Sequence, residues 1–368
     1  KTEQQAKLMG QESSISATSP TPQPGATTGQ GLKLAYLPIP CNLMTQMWWS
    51  KIDGLLSSFP ILALSDLDLL ITRLSTTSAA AAQASGLTLT PFKCDFFKSA
   101  SAQFPHFPWP QFLAALPRAR GLLCSMPQLF PSSFQIPLLM SSPSPIEVKL
   151  SRRQVACLVL SSFFGLMGIV NATRPAKGFT SFSICDLLIP PPDSPAFSAL
   201  FLCNYVCSIN TPAGVPSQSD FITFRRNTLK SAPKWEAMDD LELCQLELVG
   251  GKVPMSDSKA SNLCCFSNDL IGASVLKHGR ALEDAMMLAR PELLAAIALC
   301  SVMRDNEAVS IHGARRVSIS SIIDKHLTFL SAAAVADNFD CRGVLLMDAL
   351  PALSLDQFMP ECIRRDVF

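Results

Sequence analysis

The sequence predicts an α/β protein: a helical accessory part, then an incomplete unit built on a mixed sheet flanked by helices. Three observations carry that prediction. Short apolar segments broken by proline fill the region from Ala35 to about Pro216. After Gly214, short β-prone runs alternate with longer helical ones, the texture of a sheet packed against helices. Too few such runs stand before Phe368 for a sheet covered on both faces, so the second unit is expected to end early.

A chain of 368 residues has room for two domains. Hydrophobic residues make up 48% and charged residues 16%, which argues for a folded chain rather than wholesale disorder. Its 30 basic and 29 acidic side chains nearly cancel. There is thus no global field to steer nucleic acid or anionic membranes, and a polyanion would have to be held locally.

Thirteen cysteines occur without a CxxC pair, and the four histidines His106, His278, His312 and His326 are scattered, so no metal site is expected. Cys203 with Cys207, or Cys264 with Cys265, can be read as ligands or disulfide partners. Within apolar runs they also read as buried reduced thiols, which points to a reducing compartment.

Along the chain, residues 1–30 are polar and rich in Ser, Thr, Gln and Pro, and a disordered tail without a secretory signal is expected. The helical accessory domain is placed at 31–216, with helices over Met47–Leu56 and Gln111–Leu123 interrupted where proline cannot continue them. Val155–Val170 is a membrane candidate, but its 16 residues include Ser161 and Ser162. A spanning helix needs about 20 apolar residues, so a buried core helix is expected. The second unit is placed at 217–368. It contains the runs Asp220–Arg225, Leu241–Val249, Asn262–Asn268, Ala308–His312 and Gly343–Asp348, and the helical stretch Arg280–Met303, which Pro291 divides in two.

Several blocks recur in a familiar order. Tyr36-Leu37-Pro38-Ile39-Pro40 comes first, then Leu150-Ser151-Arg152-Arg153-Gln154 running to Phe163-Phe164, then Phe179–Leu188 and Ser217–Trp235. Phe266-Ser267-Asn268 follows, then Gly272-Ala273-Ser274-Val275-Leu276 and Leu282-Glu283-Asp284. Pro291-Glu292-Leu293-Leu294, Met303–Gly313 and Met347-Asp348-Ala349-Leu350 complete the series. It resembles the poly(ADP-ribose) glycohydrolase family, plant-like members especially, whose patterns read DFAN, GGGVL, QEE, PELI and IDAL at these places.

The resemblance implies a partial macrodomain as the second unit and hydrolysis of ribose–ribose bonds in poly(ADP-ribose), with no cofactor and no metal. It implies poly(ADP-ribose) or ADP-ribose as partner, no direct nucleic acid or membrane contact, a monomer, a nuclear or cytoplasmic protein and a part in the DNA damage response. Carried over position by position, Asp284 falls on the catalytic acid and Glu283 on its carboxylate neighbour. Asn268 falls on a ribose contact, and Gly272, Ala273, Ser274 and Leu282 fall on the substrate-binding positions.

Glycoside cleavage needs a proton on the leaving oxygen and a carboxylate near an oxocarbenium-like centre. A glycine-rich turn running into a helix N-terminus offers N–H groups to a diphosphate.

Several positions depart from the family. Asp284 is one methylene shorter than glutamate, about 1.5 Å of reach, where a misplacement of ~1 Å can cost on the order of a hundredfold in rate. Leu282 replaces glutamine, Cys265 replaces aspartate, and Ala273 and Ser274 replace glycines that a positive φ would require. Ile323 falls where a stacking aromatic is found, and the family's distal glycine-rich loop has no counterpart before Phe368. A second reading is therefore a macrodomain remnant that binds ADP-ribose or a protein without hydrolysis.

Plainer readings stand beside these. Glu283 and Asp284 could be a solvated acidic pair, Asn268 a turn cap and His278 an exposed loop residue rather than an acid or base. The pairs Arg225-Arg226, Arg315-Arg316 and Arg364-Arg365 could meet phosphates or be solvated surface. Trp48-Trp49 and Phe163-Phe164 could stack on adenine or be core.

Overall fold

Helices dominate the first part of the chain: α1 (Gln46–Ser58), α2 (Leu64–Ala84), α3 (Phe96–Gln103) and α4 (Trp109–Cys124). The computed structural model describes residues 35–174, 178–188, 197–210, 220–230, 262–277, 281–323, 326–332 and 343–348. The start of α2 is closed by its third residue, Asp66, which accepts the N–H groups of Leu62 and Ala63 at 2.8 Å each. Asp68, two residues on, accepts the N–H groups of Phe97 at 2.9 Å and Lys98 at 2.7 Å. It thereby caps α3 from a neighbouring helix, a role Asp95 at the α3 N-cap leaves open. Pro117 lies inside α4 without ending it; Phe112, Leu116, Leu122 and Leu123 bury that helix's apolar face, which offsets the lost hydrogen bond.

The apolar run Val155–Val170 is two helices around a turn. α5 (Arg152–Phe163) opens with a capping box, Gln154 N–H on Ser151 Oγ at 3.3 Å and Ser151 N–H on Gln154 Oε1 at 2.9 Å. It closes before Gly165, whose φ of +77° permits the reversal. The run is core, as expected, and no helix among the described residues is long and apolar enough to cross a membrane. Phe163 and Phe164 are buried, with Phe163 edge-on to Phe97 at 6.1 Å. Trp48 and Trp49 pack half-buried against the same core.

Among the described residues the main sheet has five strands in the order β1-β2-β4-β7-β3: β1 (Ile146–Ser151), β2 (Phe221–Thr228), β3 (Asn262–Ser267), β4 (Glu307–His312) and β7 (Gly343–Asp348). Its ladders are antiparallel except β3 with β7, which is parallel, so the sheet is mixed. β5 (Ser318–Ile323) and β6 (His326–Ala332) form a separate antiparallel pair.

β1 is a strand within the part read as predominantly helical. Val148 and Leu150 point into the core while Glu147 and Lys149 face out, a period-two pattern that fits a strand and no helix. It pairs with β2 from Ile146↔Arg226 to Ser151↔Phe221. The run Leu241–Val249 lies outside the described residues. The stretch Arg280–Met303 divides as expected, into α7 (Leu282–Ala289), a 3₁₀ turn beginning at Pro291 and the short helix Ala295–Leu299. α6 (Phe197–Ile209) carries Cys203, buried, and Cys207, half-buried, both free thiols; burial holds the Cys203 thiol well above its ordinary value.

Three buried arginines tie the helices to the sheet side. Arg226, on β2, pairs with Glu307 and donates to the carbonyls of Leu139 at 2.8 Å, Ser301 at 2.9 Å and Val302 at 2.6 Å. Arg152 pairs with Glu292 and donates to the Gly313 carbonyl at 2.6 Å. Arg174 donates to the carbonyls of Ile297 and Ala298 at 3.1 Å each, and burial lowers its pKa to about 10. Arg226 is thus no surface cation, as the sequence had suggested for the pair, because Glu307 and three carbonyls receive it in the core. Arg315 is bound as well, to Asp220 at 2.8 Å.

Removing one partner of a buried ion pair strands the other charge. Arg226→Ala is expected to destabilise the protein by about 3–5 kcal/mol in urea denaturation. Arg225→Ala, at its exposed neighbour, should change stability by no more than about 0.5 kcal/mol.

Candidate active site

The site forms where β3 runs out. Beyond Ser267 the chain passes Asn268, turns over residues 271–274, makes the 3₁₀ turn Val275–Lys277 and, from Ala281, enters α7. The 3₁₀ turn Ile184–Leu188 of the helical part packs against Val275–Lys277, so both halves of the chain hold the turn. Met303 N–H, donating to the Asp269 carbonyl at 2.8 Å, pins the strand end.

Gly272 is fixed twice over. Its φ is +69°, and a Cβ there would come within 2.5 Å of the Ile297 Cδ1 atom, so any other residue would be strained and would displace Ile297. Its N–H donates to Glu283 Oε1 at 2.7 Å. Ala273 and Ser274, half-buried, complete the turn through Ala273 N–H to the Leu270 carbonyl at 3.1 Å and Lys277 N–H to the Ser274 carbonyl at 2.9 Å.

Glu283 and Asp284 are not a solvated pair: they are 1% and 0% exposed. Glu283 Oε2 accepts from the Asn268 backbone N–H and from Asn268 Nδ2, both at 3.4 Å. Burial pushes its pKa up to about 7, against the Gly272 and Asn268 N–H groups, which favour the charged form, and with the charge of Asp284, which opposes it. Asp284 Oδ1 accepts from Ser274 Oγ at 2.7 Å and Oδ2 from the Ala281 N–H at 2.6 Å. Burial raises this carboxyl too, with the Ser274 and Ala281 donors pulling the other way.

Ala281 has no side-chain acceptor, so Asp284, the third residue of α7, closes the helix start from within. The N–H groups of Gly272 and Ala281 thus both point at the protein's own carboxylates.

Asn268 is exposed, its Nδ2 3.4 Å from Ser274 Oγ. Leu282 presents an apolar side chain, 43% exposed, beside the pair. Cys265 is buried, and burial, followed by the charge of Glu283, pushes its thiol up to about 12. A neutral thiol there spares the buried pair a third carboxylate. His278 and Arg364-Arg365 lie outside the described residues, and Ile323 ends β5. The sequence reading named Ser274 as a lost glycine; that its hydroxyl holds Asp284 follows from the fold of the turn, which brings together residues ten positions apart.

With this geometry in hand, comparison with known proteins decides the family. Residues 110–226 match the helical domain of poly(ADP-ribose) glycohydrolase, and residues 232–368 match its macrodomain fold. The chain belongs to the poly(ADP-ribose) glycohydrolase family. Poly(ADP-ribose) glycohydrolase 1 of Caenorhabditis elegans is 28% identical over 175 residues, 45% of this chain and 20% of the relative. The chain therefore spans about a fifth of that relative's length. Strands β3, β4 and β7 fall within the stretch matched to the macrodomain fold, while β1 and most of β2 fall within the stretch matched to the helical domain.

Glu283 gives this family member a pH dependence of known sign. Its pKa rises from 4.5 to about 7 on folding, so folding takes up a proton between those values. Its contribution to stability is whole below pH 4.5 and is lost as the pH rises through about 7. In Glu283→Gln that loss is absent. Denaturation followed from pH 5 to pH 8 should show the variant gaining on the wild type, by on the order of 3 kcal/mol at the upper end.

Proposed function

We propose that this chain cleaves the ribose–ribose glycosidic bond of poly(ADP-ribose), with the adjacent carboxyl groups of Glu283 and Asp284 at the reacting centre. Asn268 contacts ribose, and the turn Gly272-Ala273-Ser274 with Leu282 lines the substrate. The observation that carries the reading is the Glu283 carboxyl, buried in the first turn of α7 beside a glycine turn, with its pKa raised to about 7. At neutral pH such a group exists in both protonation states, as an acid that must give and regain a proton requires.

The reaction balances with water alone. A protonated carboxyl gives its proton to the ribose oxygen as the bond from the anomeric carbon breaks. Water adds to that carbon and returns a proton to the carboxylate, freeing ADP-ribose and a shortened polymer. A carboxylate nearby stabilises the positive charge that develops between these events. No cofactor takes part. Work as a monomer in the nucleus or cytoplasm, and a part in the DNA damage response, go with this reading.

The departures from the family pattern at Leu282, Cys265, Ala273 and Ser274 favour a second reading, recognition of ADP-ribose or a protein without hydrolysis. Release of ADP-ribose from purified poly(ADP-ribose) at high protein concentration separates the two. Slow release that disappears in the double variant Glu283→Gln, Asp284→Asn is the expected result. A folded wild type that binds ADP-ribose by calorimetry yet releases none would establish the second reading instead. Leu282→Gln, which restores an amide at the mouth, should raise release severalfold in the first case and leave it at zero in the second.

A further inference from the structure

The helical part holds a cavity of about 350 Å³ that the candidate active site does not use. Its walls come from α2 at Ser75, the loop at Thr88 to Thr90, the reversal between Ser162 and Ala172, and the segment 181–186. Hydrogen bonds tie these walls together. Ser162 Oγ donates to the Phe182 carbonyl at 3.1 Å and accepts the Ile184 N–H at 2.8 Å. Asn171 Oδ1 accepts the Phe182 N–H at 3.0 Å and an Arg174 N–H at 2.6 Å, and Arg174 is itself anchored on Ile297 and Ala298. Glycines keep the reversal close to its neighbours: a Cβ at Gly165 would stand 3.4 Å from Cys185 Sγ, and one at Gly168 2.9 Å from Leu89 Cδ1. The cavity is thus built into the fold, and its volume lies near the lower end of the ~300–1,000 Å³ usual for small-molecule sites.

The chemistry of the lining selects the ligand. Ser75, 5% exposed, accepts the Phe92 N–H at 2.6 Å and keeps its own proton to donate. Ser181 accepts from Asn171 Nδ2 at 3.0 Å and likewise has a proton left. The hydroxyls of Thr88 and Thr90 are without a hydrogen-bond partner among the described residues. A hydroxyl can both donate and accept, so this set suits a ligand that presents several hydroxyls of its own. Leu89 and Met167 supply apolar surface for the C–H face of such a ligand. No Lys, Arg or His lines the cavity, whereas Asp186 does, so a phosphate group would meet a carboxylate and no counter-charge. We propose that this cavity is a second ligand site, which takes a single neutral sugar ring. It stands apart from the glycohydrolase reading, because none of its lining residues is among those assigned to the candidate active site.

The test is a saturation-transfer NMR titration of the full chain with D-ribose and with D-glucose. The terminal phosphate ester of ribose serves as the charged counterpart, and hydrogen exchange locates the bound sugar. At least one neutral sugar should bind and slow exchange at residues 162–172 and 181–186. The phosphate ester should bind at least about tenfold more weakly, because its charge faces Asp186. Ala172 lines the cavity from an exposed position. Ala172→Trp therefore fills the cavity without entering the core and should weaken sugar binding about tenfold or more. Thr90→Val removes one exposed hydroxyl at nearly constant shape and should weaken binding severalfold; it carries the test alone if Ala172→Trp does not fold.

A wild type that binds neither sugar would overturn the proposal, and so would sugar binding that both variants leave unchanged. Slower exchange confined to residues 271–277 would put the sugar at the candidate active site and overturn it as well. A phosphate ester that binds as tightly as ribose, and loses that binding in Ala172→Trp, would overturn the choice of a neutral ligand.

Discussion

The structure depends on guanidinium groups placed where water cannot reach them. Arg152, Arg174 and Arg226 each leave the segment that carries them and end on groups 75 to 161 residues away in the chain. A buried charge is tolerated only where carboxylates and carbonyls surround it, so each arginine fixes its receiving segment as well as itself. Arg226 brings together the chain at Leu139, the loop at Ser301 and Val302, and the start of β4 at Glu307. Arg174 fastens the end of the apolar hairpin to Ile297 and Ala298. Ile297 is the residue that presses on Gly272, so this anchoring reaches the candidate site through one side chain.

Much of this was open to reading from the sequence, and the limits have physical reasons. The strands β2, β3, β4 and β7 announce themselves by β-prone runs between turn residues, and Pro291 marks a helix start because proline fits a first turn. The core nature of Val155–Val170 follows from its length and its serines. β1 was legible in principle, since Ile146–Leu150 alternates, but it lies inside a region whose prolines and apolar helices dominate the texture. Arg226 could not be separated from Arg225 without knowing the pleat. Strand alternation sends neighbours to opposite faces, and the face that is core depends on strands far away in the chain.

The site shows the same division between local and nonlocal information. The ordered blocks around Glu283 and Asp284 single the pair out as a candidate, but their burial was not readable, because two adjacent acids at a helix start suit solvent equally well. Gly272, which donates to Glu283, lies against Ile297 and Met287, and buried Cys265 is near enough to feel the charge of both acids. Ser274 could be recognised from sequence only as a glycine lost. Its value as a donor depends on the turn that Gly272 permits, and no local spacing encodes a contact between residues 274 and 284.

Placing two carboxyl groups next to each other in a dry site raises the cost of ionising both, and each neighbour in the fold answers that cost differently. Glu283 has amide donors, Asp284 has a hydroxyl and the N–H of Ala281, and Cys265 contributes no charge because burial keeps its thiol neutral. Asp284, with two short bonds to donors, is the better stabilised anion; Glu283, with one short bond and two long ones, retains its proton more readily. The departures from the family pattern at 265, 274 and 284 then act together, since removing a charge, adding a donor and shortening a carboxylate all favour one anion and one acid over two competing anions.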